Sequence, residues 1–266
     1  MPEGHTVHRM ADNFNRLFAG EHLEVESPQG RFESSARLVS GHTLVKASAI
    51  GKQMFLAFDN ELTIRVHLGL YGKWTYHGVG RIDAPEPVGQ VRARFVNDTA
   101  TADLRGPTVC EVITKHEVSL VAARLGPDPL NANPKGRESD RFIERVKRSR
   151  TPIGLQLMNQ DVIAGIGNVY RAEILFRAGI DPHTPGESLT VEQLQVIWDD
   201  SVALLKVGVA TGFMITRDEL FKKKPKKADR NSVYKREGLP CRGCGTNIAI
   251  ELMAARKLYW CPGCQK

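Results

Sequence analysis

The 266-residue sequence has no run of apolar residues near the roughly 18 that a membrane span needs. Its start lacks the basic and then apolar segments of a signal peptide, since it reads Pro2, Glu3, Gly4, His5. Internal repeats are also absent. With 41% apolar and 25% charged residues, the composition is that of an ordinary globular protein. We therefore expect a cytoplasmic protein with no membrane role and no extensive disorder.

Cysteine is scarce, and four of the five cysteines are grouped. Cys110 is isolated, whereas Cys241, Cys244, Cys261 and Cys264 form two CxxC pairs that are separated by sixteen residues. This spacing is typical of a zinc ribbon, in which two turns each supply two thiolates to a tetrahedral ion; a redox pair is the alternative. A module this small needs the metal to fold, so we expect one structural Zn²⁺ and no catalytic metal.

Positive charge is concentrated near the end of the chain. The formal net charge is +7, yet residues 206–266 carry 14 Lys or Arg against 5 Asp or Glu, which leaves 23 against 25 in residues 1–205. Such asymmetry favours a polyanionic partner such as nucleic acid, because each neutralised phosphate releases condensed counterions. A solvated basic tail that only aids solubility is the alternative.

The hydrophobic pattern divides the first half of the chain into a helix and a β-rich region. Apolar residues recur at helical spacing after Gly4, and Gly20 lies where that helix would end. From Glu21 to about Thr114, short β-rich runs alternate with turns, among them residues 44–49, 54–58 and 62–66. This pattern predicts an N-terminal domain, residues 1–125, in which a leading helix packs on a β-sandwich.

The second half of the chain is predicted to contain a linker, a helical domain and a small module. Breaker residues in 126–139 predict an interdomain linker. Helical periodicity from Asp140 to about Val209 includes the apolar run 155–163, so residues 140–237 are predicted to form a helical domain. The lysine-rich stretch 221–230 predicts a mobile loop. Residues 238–266 form the cysteine-bearing module. The fold class is therefore α+β and multidomain.

Small residues precede a predicted helix in the segment AGIGNVY, residues 164–170. Backbone N–H groups at a helix N-terminus form a natural phosphate clamp. A tight turn between two helices needs glycines as well, so the segment alone does not distinguish the two interpretations.

The sequence as a whole resembles the formamidopyrimidine-DNA glycosylase and endonuclease VIII family. The run 160–179, with GIGNVYRAEILF at its centre, resembles the helix-two-turn-helix of that family. The opening MPEG at 1–4, the Gly-Lys pair at 51–52, VYKREGLPCRGCG at 233–245 and RKLYWCPGCQ at 256–265 match its other motifs in order.

The resemblance implies a bifunctional DNA glycosylase and AP lyase of base excision repair. Its nucleophile would be Pro2, exposed by removal of Met1, because a secondary α-amine that attacks the sugar C1′ gives an iminium ion directly. Glu3 would move protons, and Lys52 would contact the phosphate beside the lesion and support β,δ-elimination. Without the resemblance, Pro2 and Glu3 would be ordinary helix-start residues and Lys52 an exposed hairpin lysine.

The resemblance also implies DNA contacts. Asn168 and Arg256 would hold phosphates flanking the flipped nucleotide, and Leu70 and Tyr71 would fill the gap that the nucleotide leaves. Arg105 is a partial match to a double-arginine motif of the purine-lesion branch. As alternatives, Leu70 and Tyr71 could be core residues, and Arg256 could be a solvated charge.

The chain departs from the family pattern at two places. His5 and Thr6 replace a proline and a glutamate that many relatives carry. Residues 103–108 read DLRGPT and lack the phenylalanine wedge of the purine-lesion branch. The lack of the wedge, the PEG opening at 2–4 and the LYG segment at 70–72 favour the endonuclease VIII branch and oxidised pyrimidines as substrates.

Two alternatives stay open at this stage. One is an 8-oxoguanine or formamidopyrimidine glycosylase, and the other is a non-catalytic protein that binds damaged or abasic DNA. In each case we expect a monomer whose partner is damaged double-stranded DNA and which needs no nucleotide cofactor.

Overall fold

A computed structural model describes residues 2–80 and 82–266; Met1, whose removal the proline mechanism requires, lies outside the described residues, as does Arg81. The contacts between residues divide the chain into two compact units, Met1–Arg124 and Leu125–Lys266. Within the described ranges, no helix is both long and apolar enough to cross a membrane.

An antiparallel sheet dominates the first unit. In the described part of the chain it has eight strands in the order β5-β7-β6-β1-β2-β3-β4-β8. The strands are β1 (His22–Glu26), β2 (His42–Ile50), β3 (Gln53–Phe58), β4 (Leu62–His67), β5 (Lys73–His77), β6 (Val91–Val96), β7 (Thr101–Arg105) and β8 (Val109–Thr114). The β-rich runs 44–49, 54–58 and 62–66 are confirmed.

Strand β1 joins the two four-stranded halves of this sheet. His22 and Leu23 pair with β2, whereas residues 24–26 pair with β6. The inward faces of both halves share one apolar core, which includes Leu56 and Ile64 from one half and Phe95 and Leu104 from the other. The predicted sandwich is therefore a single continuous sheet whose two halves enclose a common core.

Helix α1 (Gly4–Phe18) begins where the sequence predicts and packs on this core. Phe14 is fully buried, and its ring contacts Trp74 with centroids 4.6 Å apart. The Asn15 side chain donates to the Ala47 carbonyl (2.8 Å) and accepts from its N–H (2.7 Å), while the Gly20 N–H donates to the Leu44 carbonyl. Helix α1 and β2 therefore run antiparallel, and the end of β2 lies toward the start of α1.

The β-rich region ends in a helix that the sequence pattern did not predict. After the short α2 (Glu33–Ala36) and the sheet, α3 (Lys115–Arg124) closes the first unit. The predicted linker begins beyond it, but residues 126–129 are buried. Gly126 donates to the Gln160 carbonyl and Ala164 donates to the Pro127 carbonyl, so this stretch packs within the second unit.

The second unit contains α4 (Arg137–Lys147), α5 (Ile153–Gln156), α6 (Asn168–Arg177) and α7 (Val191–Thr211). The prediction of a helix over 155–163 is wrong beyond Gln156. The Gln160 side chain donates to the Ile166 carbonyl and accepts from the Gly165 N–H. Because these side-chain bonds occupy backbone groups, turns replace the helix between α5 and α6.

A two-stranded hairpin completes the second unit. Strand β9 (Ala249–Met253) pairs with β10 (Arg256–Trp260), and Met253 lies directly opposite Arg256. The two-residue connection therefore consists of Ala254 (φ 49°) and Ala255 (φ 59°). Tight hairpin turns of this handedness favour Asn-Gly, because residues with a Cβ adopt positive φ only with strain.

We expect the Ala255→Gly variant to be more stable than the natural chain. Relief of the positive φ at this position should exceed the extra entropy of glycine and raise the free energy of unfolding by about 1 kcal/mol. Chemical denaturation of the metal-loaded protein measures the difference. The matched control is Ala249→Gly in β9, where glycine should destabilise the hairpin. Destabilisation by both substitutions would contradict the interpretation of the turn.

Candidate active site and nucleic-acid interface

Pro2 and Glu3 lie at the start of α1. Pro2 is half-buried, and Glu3, the N-cap residue, is fully buried with extended backbone (φ −118°). The Glu3 carbonyl accepts from the Thr6 N–H at 2.9 Å, so the helix begins immediately after it. The first turn contains no acidic side chain. The positive end of the helix dipole thus faces the residue that the sequence predicts as the nucleophile, and it favours an unprotonated amine there.

His5 is buried one residue into the helix. Burial lowers the pKa of its imidazole to about 4, so the ring is neutral at physiological pH. Its Nε2 lies 3.1 Å from the Thr6 hydroxyl. The two residues that depart from the family pattern therefore contact each other next to Glu3.

Lys52 lies in the predicted hairpin between β2 and β3. Ile50 pairs with Gln53, and Gly51 adopts φ 57°, which leaves Gly51 and Lys52 as the two turn residues. Because β2 runs antiparallel to α1, this turn lies at the end of the unit where α1 begins. The structure thereby places Lys52 toward Pro2 and Glu3.

His67, which the sequence reasoning did not select, joins this group. Gln53 pairs with His67 across β3 and β4, and burial, followed by the positive charge of Lys52, lowers the pKa of the His67 ring. The ring Nδ1 lies 2.8 Å from the Thr108 hydroxyl. The sequence did contain a signal for this residue. His67 ends β4, and β3, which pairs with β4, begins directly after the turn that contains Lys52.

Leu70 and Tyr71 project from a tight loop between β4 and β5. The Gly72 N–H donates to the Leu68 carbonyl, and a Cβ on Gly72 would lie 2.3 Å from that oxygen. The exposed fractions are 55% for Leu70 and 85% for Tyr71. This exposure excludes the interpretation of the pair as core residues and leaves two large apolar side chains facing solvent.

Arg105 is held by its own unit. Its guanidinium donates to Asp103 (3.1 Å), the Thr75 hydroxyl (3.2 Å) and the Val88 carbonyl (3.1 Å). Asp103 also accepts two hydrogen bonds from buried Arg94. These bonds give Arg105 a structural role on β7, and its contact with DNA stays a prediction.

Asn168 is the first residue of α6 and contacts the hairpin. Its Nδ2 donates to the Lys257 carbonyl at 2.9 Å, one residue after exposed Arg256. Arg171, which is fully buried, donates to the Asn168 Oδ1 and to the Lys257 carbonyl. The structure therefore brings Asn168 and Arg256 together at one surface of the second unit.

Arg171 was missed by the sequence reasoning, as was Glu173. Both are charged, fully buried residues within an otherwise apolar helix, and that contrast was the available signal. The Glu173 carboxylate accepts from the Thr216 hydroxyl and from three consecutive backbone N–H groups, residues 232–234. The two side chains fix the segments on either side of the Asn168 surface.

We expect Arg171→Ala to lower the free energy of unfolding by about 3 kcal/mol, because it removes the Arg171 donor from Asn168 Oδ1 and the Gly154 carbonyl and leaves a cavity in place of a buried side chain. Denaturant titration measures the loss. Exposed Arg141 on α4 provides the control, since Arg141→Ala should change stability by less than about 0.5 kcal/mol. Equal stabilities of the two variants would show that Arg171 does not hold this surface together.

The four grouped cysteines converge at the base of the hairpin. Their Sγ atoms all lie within 4.8 Å of one another, and the cluster could hold a metal ion. The Gly243 N–H donates to the Cys241 Sγ at 3.4 Å, and a Cβ on Gly263 would lie 2.9 Å from the Cys244 Sγ. Four thiolates with small residues in both turns are the donor set that suits a tetrahedral ion.

Comparisons with known proteins agree with this geometry. Residues 1–137 match the formamidopyrimidine-DNA glycosylase N-terminal domain, and residues 125–219 match the formamidopyrimidine-DNA glycosylase H2TH domain. Curated relatives include endonuclease 8 1 of Mycobacterium tuberculosis, 47% identical, and endonuclease 8 of Escherichia coli, 29% identical; each comparison covers 100% of both chains. A solved complex of Lactococcus lactis Fpg with DNA containing an abasic site has the same fold (TM-score 0.82, 22% identity, 99% of both chains).

Proposed function

The chain belongs to the formamidopyrimidine-DNA glycosylase family, and from that premise we propose how its own residues act on DNA. It is a DNA glycosylase and AP lyase of base excision repair. The α+β fold, with a helix on a sheet, a helix-two-turn-helix unit and a C-terminal cysteine cluster, is the one that the sequence predicted. The single observation that carries the catalytic proposal is the placement of Pro2 and Glu3 at the positive end of α1, toward Lys52.

Pro2 is the nucleophile in this proposal. Once Met1 is removed, the lone pair of the secondary amine forms a bond to C1′ of the damaged nucleotide, and the bond from C1′ to the base breaks. The departing base takes up the proton that the amine nitrogen loses, and the nitrogen lone pair then breaks the bond from C1′ to the ring oxygen O4′ and gives an iminium ion. The positive end of the α1 dipole lies next to this amine and favours its unprotonated form.

Glu3 moves the protons of the reaction. Its carboxyl donates a proton as the ribose ring opens, and the carboxylate assists the elimination that follows. Removal of a C2′ proton expels the 3′ phosphate, and a second elimination expels the 5′ phosphate. Neutral His5 lies beside Glu3 and is able to accept a proton where many relatives have a proline.

Phosphate contacts come from each unit separately. In the first unit, Lys52 supplies a positive charge at the end of the sheet, and the neighbouring His67 ring supplies a group that can form hydrogen bonds. In the second unit, Asn168 and Arg256 share one surface, and the N-terminus of α6 adds its dipole. Exposed Leu70 is suited, together with the Tyr71 ring, to fill the gap that a flipped nucleotide leaves.

The metal in this proposal is one structural Zn²⁺ held by Cys241, Cys244, Cys261 and Cys264. When bound, it supplies folding free energy to the module and takes no part in the chemistry. Because β10 runs directly into Cys261, the cluster fixes the strand that begins at Arg256. We also propose a cytoplasmic monomer, as expected for an enzyme that acts on chromosomal DNA.

Oxidised pyrimidines are the proposed substrates. The support comes from the exposed Leu70 and Tyr71 and from a 103–108 segment that lacks the phenylalanine wedge. Excision from duplexes carrying dihydrouracil, thymine glycol or 8-oxoguanine tests the proposal under single-turnover conditions. Faster release of both pyrimidines than of 8-oxoguanine supports the proposal. Release of 8-oxoguanine alone would contradict the proposed substrate class and leave the glycosylase assignment intact.

A further inference from the structure

Five lysines crowd one short exposed segment of the second unit. We name residues 222–227 the lysine segment; it contains Lys222, Lys223, Lys224, Lys226 and Lys227, all exposed. Among the residues that the structure describes, no carboxylate lies within ion-pair distance of these five ammonium groups. The segment therefore carries five positive charges that the unit itself does not neutralise at contact distance.

The acidic residues nearest in sequence are already engaged. Each of the three that flank the lysine segment is paired with an arginine. The pairs are Arg177–Asp218 at 2.9 Å, Arg217–Glu219 at 2.5 Å and Arg242–Asp229 at 3.6 Å. These pairs engage the flanking carboxylates with arginines, and only Lys223 adds to the electrostatic environment of Glu219, so the segment keeps an excess of positive charge.

The loop that carries the lysine segment is closed at its base. The Thr216 N–H donates to the Arg230 carbonyl at 3.0 Å, and the Thr216 hydroxyl donates to the buried Glu173 carboxylate. The Arg217 guanidinium donates to the Asp229 carbonyl at 2.9 Å. The lysines thus project from a loop whose two ends are hydrogen-bonded to each other, and the mobility predicted for this loop stays a prediction.

The lysine segment adjoins the surface proposed to bind phosphates. A cavity of about 540 Å³ is lined by Lys227 and Arg230 on the loop side and by Val169, the residue after Asn168, on the α6 side. Tyr234, whose N–H is held by Glu173, lines the same cavity. The lysine segment and the start of α6 therefore lie on two sides of the same cavity.

We propose that the lysine segment is a second DNA-binding surface that contacts backbone phosphates outside the lesion site. This inference rests on the proposed function, because it takes the partner to be the same DNA. Lysine contacts to backbone phosphates read no sequence, so the surface binds undamaged and damaged duplexes alike. It supplies the salt-dependent affinity that keeps the enzyme on DNA while it searches for lesions.

The test measures how salt weakens binding to an undamaged duplex. Fluorescence anisotropy gives the slope of log K against log salt for the natural chain and for a variant with all five lysines changed to glutamine. Since each phosphate contact contributes about 0.9 to that slope, loss of two or three contacts flattens it by roughly 2 to 3. Affinity at about 0.1 M salt then falls at least roughly tenfold.

A matched control removes the same charge elsewhere in the unit. Lys135, Arg137, Arg141, Arg148 and Arg150 are exposed cations on and around α4. Changing all five to glutamine should flatten the slope by less than about 1, and a variant with five arginines in the lysine segment should keep the natural slope. If the lysine variant and the α4 variant flatten the salt slope equally, net charge alone explains the effect and the proposal is overturned.

Borohydride trapping on an abasic duplex at low salt separates this inference from the proposed function. If the natural chain forms the adduct but the lysine variant keeps the natural salt slope, the second surface is disproved and the enzyme assignment stands. If the natural chain forms no adduct, and the salt slope flattens in the lysine variant but not in the α4 variant, the catalytic proposal fails and the binding surface stands.

Discussion

Replacing Pro2 with glycine is expected to reduce covalent trapping on DNA at least roughly a hundredfold. Glycine presents a primary amine and loses the ring that fixes φ, and misplacement of a reacting atom by about 1 Å is enough for a loss of that size. Pro2 precedes the N-cap of α1, so the substitution removes no helical hydrogen bond. Borohydride trapping on duplexes that carry an abasic site or dihydrouracil measures the effect.

Glu3→Gln provides the control for this experiment, because it keeps the amine and removes the proton carrier. Excision of dihydrouracil should fall by about 10²- to 10⁴-fold, whereas trapping on a preformed abasic site should fall less, since no base has to leave. Pro2→Gly should lose trapping on both duplexes. Undiminished trapping by Pro2→Gly would identify another amine, with Lys52 the first candidate, as the nucleophile.

Replacing Cys261 with serine is expected to remove the bound metal and unfold the C-terminal module. Cys261 is fully buried and follows β10, and its Sγ belongs to the four-sulfur cluster. Binding of a structural Zn²⁺ contributes about 10–16 kcal/mol to the folding of such modules. Loss of the hairpin also removes Arg256 from its place beside Asn168, so DNA affinity should fall at least about tenfold.

Metal analysis and DNA titration measure these two losses in the same preparation. The matched control is Cys110→Ser, which changes the one cysteine outside the cluster. Burial raises the pKa of the Cys110 thiol to about 12, so this side chain is an inert part of β8. We expect the control to keep both metal and affinity. Retention of one metal ion per chain by Cys261→Ser would contradict the four-thiolate site.

Turn geometry explains where the helix prediction failed. The apolar run 155–163 has helical periodicity, yet Gln160 uses its amide to bind the backbone of Gly165 and Ile166. A pattern of apolar residues does not show whether a glutamine side chain will compete for backbone groups. The same limit applies to residues 126–129, whose glycine and prolines suggested a linker although they are buried in the second unit.

Buried charges explain which site residues the sequence reasoning missed. Arg171 and Glu173 look like ordinary surface residues of a helix when only their spacing is known. The fold buries both, so each must satisfy several partners that are distant in sequence, such as Lys257 and Val233. Their roles depend on those long-range contacts, whereas the local pattern shows only two charges among the apolar residues of a helix.

The sequence alone determined the start of α1, the strands of one sheet half, the grouping of four cysteines in a candidate metal site and the family. These features depend on periodicity, on ligand spacing and on motifs of consecutive residues, which are local properties. Tertiary structure alone decided that Leu70 and Tyr71 are exposed, that Asn168 contacts the strand beginning at Arg256, and that the acids flanking the five lysines pair with arginines. Each of these is a relation between residues far apart in the chain, which only packing can bring together.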